Sequence, residues 1–334
     1  MYKTLIVGVG SIGERHLRCF QKTGRVQTSI CEVNPELRER IASEYGVERS
    51  YASLDEALSD EHDLAVVATP AHLHIPMAHQ LAAAGVHLLI EKPLSTTLEG
   101  IDALCELVAQ KKFVAGVAYI RRADPALIAM KEAIDSGRFG KPLQLVVFCG
   151  QDFSFYRPAY RDIYYADHAQ GGGAIQDALT HFLNAGEWLV GPINRLTADA
   201  AHQFLEGVNV EDTVHLMAHH GKVLGCYVLN QYQAPNETTI TVVCEKGTVR
   251  NELMERRWSW MVEPGGTWNT EQTDVPERDT LFINQANRFL DALENRAVPA
   301  CSLAEGLQTL HCNLAALESA ETGKWMETVG MTKA

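Results

Sequence analysis

The chain reads as an α/β protein. A doubly wound parallel sheet comes first, followed by an α+β domain with a large open, mainly antiparallel sheet. Three observations predict this. Apolar runs alternate with helical stretches through the first third, as a parallel sheet with crossover helices requires. From about residue 143 strand-like segments dominate, and short turn signals such as His220-Gly221-Lys222 separate neighbours, as in antiparallel pairs. The length, 334 residues, exceeds what one core usually holds. The expected domains are 1–121 and 122–334.

The first strand is Thr4-Leu5-Ile6-Val7, and Gly8-Val9-Gly10-Ser11-Ile12-Gly13 follows it directly. A G-x-G-x-x-G that leaves a strand and opens a helix is a dinucleotide site of the Rossmann type. Gly8 permits the tight turn, Gly10 lets the backbone approach a pyrophosphate, and Gly13 lets the helix pack on the strand. The helix N-terminus then offers free N–H groups and a positive dipole end to the phosphates. Residues 26–31 form the second strand, and Glu32 ends it, at the place where an acid about 20 residues past the glycines is expected. Its carboxylate would accept from the ribose hydroxyls and repel a 2′-phosphate, which favours NAD over NADP. Arg38 and Arg40 nearby leave some NADP use open.

Further on, residues 35–45 and 53–58 read as helices, the second with a capping signal. Leu64-Ala65-Val66-Val67-Ala68 is an apolar run without alternation, as in a buried parallel strand. It ends in Thr69-Pro70-Ala71-His72-Leu73-His74, a loop beside the cofactor cleft. A helix to Ala84 stops at Gly85. Strands at 86–90 and 113–117 flank a helix over 95–110, and a helix over 125–136 closes the first pattern. In the second domain, strands are expected at 143–148, 214–219, 223–232, 238–244, 248–251 and 258–262. Helices are expected at 173–189, 281–295 and 302–322.

The formal charge is −13, with no Lys/Arg cluster, so nucleic acid and anionic membranes are poor partners. No apolar run reaches the roughly 20 residues needed to span a bilayer. The N-terminus leads into a strand rather than a signal peptide, and eight scattered cysteines without a C-x-x-C suit reduced thiols. Both point to a cytoplasmic protein.

Two places could do chemistry. Glu91-Lys92-Pro93 follows a parallel strand, where open α/β sheets put their ligands. A partly desolvated lysine there becomes a usable proton donor or acceptor. A cis Lys92–Pro93 bond is compatible with this motif. The second is Gly171-Gly172-Gly173 leading into Asp177 and His181, spaced i, i+4 on one helical face. An Asp–His pair can fix a tautomer and supply a base near neutral pH. His72-x-His74 and His219-His220 lack further ligands, so no metal is expected.

In this order, the glycine loop, Glu91-Lys92-Pro93, Asp177-x-x-x-His181, Phe289-Leu290-Asp291-Ala292-Leu293 and Ser302-Leu303-Ala304-Glu305 resemble the glucose–fructose oxidoreductase / inositol dehydrogenase (Gfo/Idh/MocA) family over essentially the whole chain. The resemblance implies Lys92, Asp177 and His181 as a catalytic triad. His181 would take a hydroxyl proton, Lys92 would hold the oxygen and Asp177 would orient the substrate or the other two side chains, although members differ over whether Lys or His is the acceptor. It also implies NAD(P), a sugar or cyclitol substrate, and a homodimer or homotetramer through the C-terminal sheet. Cofactor contacts are expected from Gly8, Gly10, Ser11, Ile12, Gly13, Glu32, Thr69, Pro70, His74, Glu91, Lys92 and Arg161. Substrate contacts are expected from Lys92, Arg122, Tyr156, Tyr160, Asp177 and His181. The chain departs from the common pattern at Ala71, Ile120, Ala123 and Tyr160-Arg161. Other functions within reach are an NAD-dependent glycosidase that oxidises its sugar transiently, and a non-catalytic NAD-binding regulator.

Overall fold

A computed structural model describes residues 1–274 and 279–328. They form two compact units, residues 1–123 with 279–307, and 124–274 with 308–328.

In the first unit, strands β1 (Tyr2–Val7), β2 (Val26–Cys31), β3 (Ser50–Tyr51), β4 (Leu64–Val67), β5 (His87–Ile90) and β6 (Ala115–Val117) make one sheet in the order β3-β2-β1-β4-β5-β6. Every pair is parallel. Helices α1 (Ser11–Lys22), α2 (Pro35–Tyr45), α3 (Leu54–Ala57), α4 (His74–Ala83) and α5 (Ile101–Lys111) connect the strands. The β1 and β4 neighbours mark the switch point, where the crossovers diverge and a crevice opens at the strand ends. Caps follow from sequence: the Asn34 side chain accepts from the Leu37 N–H, and the Ser53 side chain accepts from the Glu56 N–H.

The division of the chain differs from a single cut near residue 121. Helix α9 (Thr280–Leu293) returns to the first unit, where its Ala286, Phe289 and Leu290 join Leu17 and Phe20 of α1 in one core. The Val117 N–H then donates to the Cys301 carbonyl at 3.0 Å. Apolar residues near the C-terminal end thus complete a core begun at the N-terminus, a pairing no local pattern announces.

The second unit is built on a nine-stranded sheet. Strands β7 (Pro142–Asp152), β8 (Arg195–Ala201), β9 (Thr213–His220), β10 (Val223–Asn230), β11 (Tyr232–Cys244), β12 (Gly247–Glu252), β13 (Arg257–Met261), β14 (Asn269–Gln272) and β15 (Met326–Glu327) take the order β14-β13-β12-β11-β7-β10-β9-β8-β15. Only β7–β10 is a parallel pair. One face carries Leu145, Val147, Leu216, Tyr227, Ile240 and Val249. These pack with Leu127 and Met130 of α6 (Pro125–Asp135), Phe182 and Leu183 of α8 (Thr180–Val190), and Cys312 and Ala316 of α10 (Leu303–Thr322). On the other face Val146, Met217 and Leu224 are exposed, with Cys226 paired between Val146 and Met217. Helix α7 (Phe153–Tyr156) and several single helical turns lead up to Gly171.

Among the described residues no helix is long and apolar enough to cross a membrane, and no group of three His, Cys, Asp or Glu could hold a metal ion. All eight cysteines are free.

Candidate active site

The glycine loop takes its shape from contacts a side chain would forbid. Gly8 stands at φ +81, beyond what L side chains readily adopt, and its N–H donates to the Cys31 carbonyl at 2.8 Å. A Cβ on Gly13 would overlap the Gly8 carbonyl oxygen, so α1 can approach the loop only as it does with glycine there. Gly10 differs: nothing lies within 4 Å of where its Cβ would be. It forms the N-cap of α1 with no side-chain capping bond, and Ser11 beside it is exposed. A cleft lined by Ser11, Glu14, Arg15, Arg18, Tyr45 and Asp279 runs along the first turns.

Glu32 grips this loop from the end of β2. One carboxylate oxygen accepts from the Val9 N–H at 3.0 Å and the other from the Asn34 N–H at 2.9 Å. The Arg38 guanidinium donates to the Glu32 carbonyl at 2.6 Å. Thr69 adjoins Gly8 at the mouth of the same crevice, with half-buried Ile12 and exposed Pro70 nearby in sequence. Open space at Gly10, an uncapped helix N-terminus and a carboxylate at the loop are what a dinucleotide needs. The residues fit NAD: Gly10, Ser11 and Ile12 would face the pyrophosphate and Glu32 the ribose.

Three expected contacts have other duties. His74 is buried, with Nδ1 3.0 Å from the Pro93 carbonyl oxygen and Nε2 2.8 Å from that of Thr69. It ties two loops together. Burial holds its imidazole below the ordinary histidine range, and the carbonyl bonds only partly offset that. Glu91 is also buried. Its Oε1 lies 2.6 Å from His16 Nε2, and its Oε2 accepts the Lys92 backbone N–H at 2.9 Å. Burial pushes the carboxyl up, but the hydrogen bond and electrostatic pull of His16, then Lys92, outweigh it and leave it below the usual range. His16 went unnoticed in the sequence, where it is one more residue of a helix. Arg122 is buried against the Ala300 carbonyl and Glu305. Glu305 in turn completes a capping box with Ser302 at the start of α10. Arg122 therefore pins the start of α10 to the chain after β6. Lys92 itself is half-buried, after a strand and before a cis peptide bond to Pro93.

In the second unit, Asp177 lies within a π-helical turn, Ile175–Leu179, and His181 sits in the first turn of α8 that continues it. Single π turns inside helices occur frequently at functional sites. The wider turn has no pattern in sequence, so an ordinary helix was expected across it. Both side chains are half-buried. The glycines before them serve packing. A Cβ on Gly172 would overlap the carbonyl oxygens of Tyr164 and Tyr165, and one on Gly173 (φ +83) would lie 2.6 Å from Glu211 Oε2. Glu211, nearly buried, accepts the Ile175 N–H at 2.8 Å and meets His168 Nε2 at 2.5 Å. The hydrogen bond to Glu211 raises the His168 imidazole above its ordinary range, against a smaller opposing effect of burial.

The aromatic segment before the glycines divides by role. The Tyr164 hydroxyl donates to Asp177 Oδ1 at 2.7 Å, a contact missed in the sequence because nothing distinguishes Tyr164 from its neighbours. Tyr160 is buried, its hydroxyl donating to the Glu206 carbonyl at 2.7 Å. Arg161 donates to the same carbonyl at 2.7 Å and packs over the Tyr160 ring. Both hold the 202–210 loop through the Glu206 carbonyl, Tyr160 from a buried position and Arg161 from an exposed one. Tyr156 is exposed, edge-on to Phe155.

Residues 2–119 match the model of an oxidoreductase family with an NAD-binding Rossmann fold, and residues 127–250 match the GFO/IDH/MocA C-terminal domain. Levoglucosan dehydrogenase of Pseudarthrobacter phenanthrenivorans is 34% identical over 96% of this chain and 97% of its own length. Inositol 2-dehydrogenase of Rhizobium meliloti is 29% identical over 94% of this chain and 95% of its own. The fold matches a levoglucosan dehydrogenase solved with NADH at a TM-score of 0.91, with 23% identity over 99% of this chain and all of that one. With the glycine loop, the Glu-Lys-Pro turn and the Asp–His helix each in place, the chain belongs to the Gfo/Idh/MocA family of NAD-binding oxidoreductases.

Proposed function

We propose that the protein is an NAD-dependent dehydrogenase acting on a hydroxyl-bearing carbon of a sugar, sugar derivative or cyclitol. The observation that carries this is Asp177 on a π turn held from outside by Tyr164 and Glu211, with His181 in the first turn of the helix that continues it, in a chain that also keeps an open, uncapped dinucleotide loop. Bound NAD supplies a hydride acceptor. His181 takes the hydroxyl proton as the carbon–hydrogen bond breaks, and the oxygen becomes a carbonyl. Lys92 hydrogen-bonds that oxygen, whose charge develops in the transition state. Asp177, held by Tyr164, orients the sugar hydroxyls. The reverse exchange of roles between Lys92 and His181 has the same atom balance.

The reading includes assembly of two or four copies through the exposed sheet face around Val146, Met217 and Leu224, and a reducing, cytoplasmic setting suited to free thiols.

The test is absorbance of reduced nicotinamide with NAD or NADP and a panel of sugars, sugar acids and inositols. NADH should accumulate with one substrate class. Lys92→Ala and His181→Ala should each lower kcat/KM by about 10²–10⁴ while NADH still binds. Near-normal turnover by either variant on the true substrate would remove that residue from the site. Glycoside cleavage without net NADH would instead make the protein a hydrolase.

A further inference from the structure

We infer that the buried His16–Glu91 pair is a positioning device that sets the backbone of Lys92 from the helix carrying the dinucleotide loop. The inference rests on Lys92 acting at the substrate oxygen, as in the reading above.

Helix α1 starts at the glycine loop, and His16 lies on its buried side. The ring is set by aromatic neighbours: Phe282 meets it edge-on at 5.6 Å, and Phe20 lies tilted against it at 6.4 Å. It is only 1% exposed, and the Glu91 side chain 7%. The Glu91 N–H continues the sheet ladder to the Val67 carbonyl at 2.9 Å, so its backbone is fixed by β4. Its two carboxylate oxygens then face different elements. One reaches His16 on α1, and the other takes the N–H of Lys92. A carboxylate buried this deeply is costly unless paired, and each of its partners lies at a functional motif. The result is a rigid path from the cofactor helix to the first atom of the lysine. Lysine carries a long flexible stem, so reaching an oxygen within roughly 0.5 Å depends on a fixed starting point. Neither Glu91 nor His16 touches substrate in this account.

The test uses Glu91→Ala, Glu91→Gln and His16→Leu beside Lys92→Ala. NADH fluorescence titration gives affinity and the number of competent sites, and kcat is then expressed per NADH-binding site. Glu91→Ala and His16→Leu should lower kcat by about 30- to 100-fold, the loss expected when a catalytic group shifts by about 1 Å. NADH affinity should stay within about threefold and substrate KM should move little, because the lost interaction is felt in the transition state. Glu91→Gln should recover to within about fivefold of the parent, since its amide can donate to His16 and accept from Lys92. A structural role alone would reduce the count of competent sites and leave kcat per site unchanged, which overturns the inference. NADH affinity lost in proportion to kcat overturns it too, as does a Glu91→Gln loss equal to that of Glu91→Ala. If Glu91→Ala does not fold, His16→Leu decides. Turnover retained by Lys92→Ala would instead sink the catalytic reading itself, whatever the Glu91 variants do.

Discussion

Two glycine-rich segments lead into two helices, and each has a glutamate gripping an N–H from another element. Glu32 holds Val9 at the first, and Glu211 holds Ile175 at the second. The physics differs. At the first, Gly8 and Gly13 close on each other and Gly10 faces open space. At the second, Gly172 and Gly173 are filled by the chain's own carbonyls and by the Glu211 carboxylate. One run is a cradle left open for a ligand. The other is a packing joint that sets the pitch of the turn carrying Asp177. Glycine content marks both, and only the occupant of the missing Cβ separates them.

The largest effect should come from filling those spaces. Gly13→Ala and Gly172→Ala each place a methyl against backbone that cannot move aside, and each should cost about 3 kcal/mol by thermal or urea unfolding. Gly10→Ala should change stability by no more than about 0.5 kcal/mol, because its backbone is extended and its surroundings are empty. Its cost should fall on NADH binding instead. Loss of a close backbone–pyrophosphate contact worth about 1.5–3 kcal/mol weakens the affinity by tenfold or more. A Gly10→Ala protein that binds NADH normally would break the contrast.

What was legible in the sequence follows the same division. Buried parallel strands are apolar runs, and glycine-loop chemistry is local, so the first sheet and its loop could be read directly. Strand β14 has four exposed residues and β8 is rich in alanine, so neither carries an apolar alternation to find. Helix α5 was expected from residue 95 but starts at Ile101, after Gly100 at φ +73. The polar residues flanking the motifs were the hardest. Glu91, Arg122 and His74 carry the right chemistry beside the right strands. Whether such a side chain turns outward depends on partners far along the chain: His16 is 75 residues from Glu91, and Glu305 is 183 from Arg122. The Tyr160 hydroxyl was drawn inward likewise by the Glu206 carbonyl, 46 residues away.

The two gripping glutamates sharpen the comparison at a smaller scale. Glu211→Ala strands the Ile175 N–H in a buried setting and takes away the His168 partner, which should cost about 2–3 kcal/mol. Activity should fall with it, because the π turn loses its anchor. Glu32 is half-exposed, so water can replace it at Val9, and Glu32→Ala should cost under about 1 kcal/mol of stability. Its signature should be weaker NADH binding and a relative gain for NADPH. Equal stability losses in the two variants, with NADH affinity untouched, would erase the distinction.

The finest test concerns His168, which leans on Glu211 from outside. Its side chain is 47% exposed, so solvent screening keeps the pair weak. The sign follows from the raised imidazole range. A cation favoured by folding contributes fully below the ordinary histidine value of about 6.5 and loses that contribution as pH rises through the raised folded value. His168→Gln should therefore lower stability by about 0.5 kcal/mol at pH 6, a Tm change of about 1–2 °C, and by almost nothing at pH 9. A deficit as large at pH 9 would mean that His168 supports the glycine joint by shape, with its charge irrelevant. The ion pair would then drop out of the account, and the second joint would rest on Glu211 and the carbonyls of Tyr164 and Tyr165 alone.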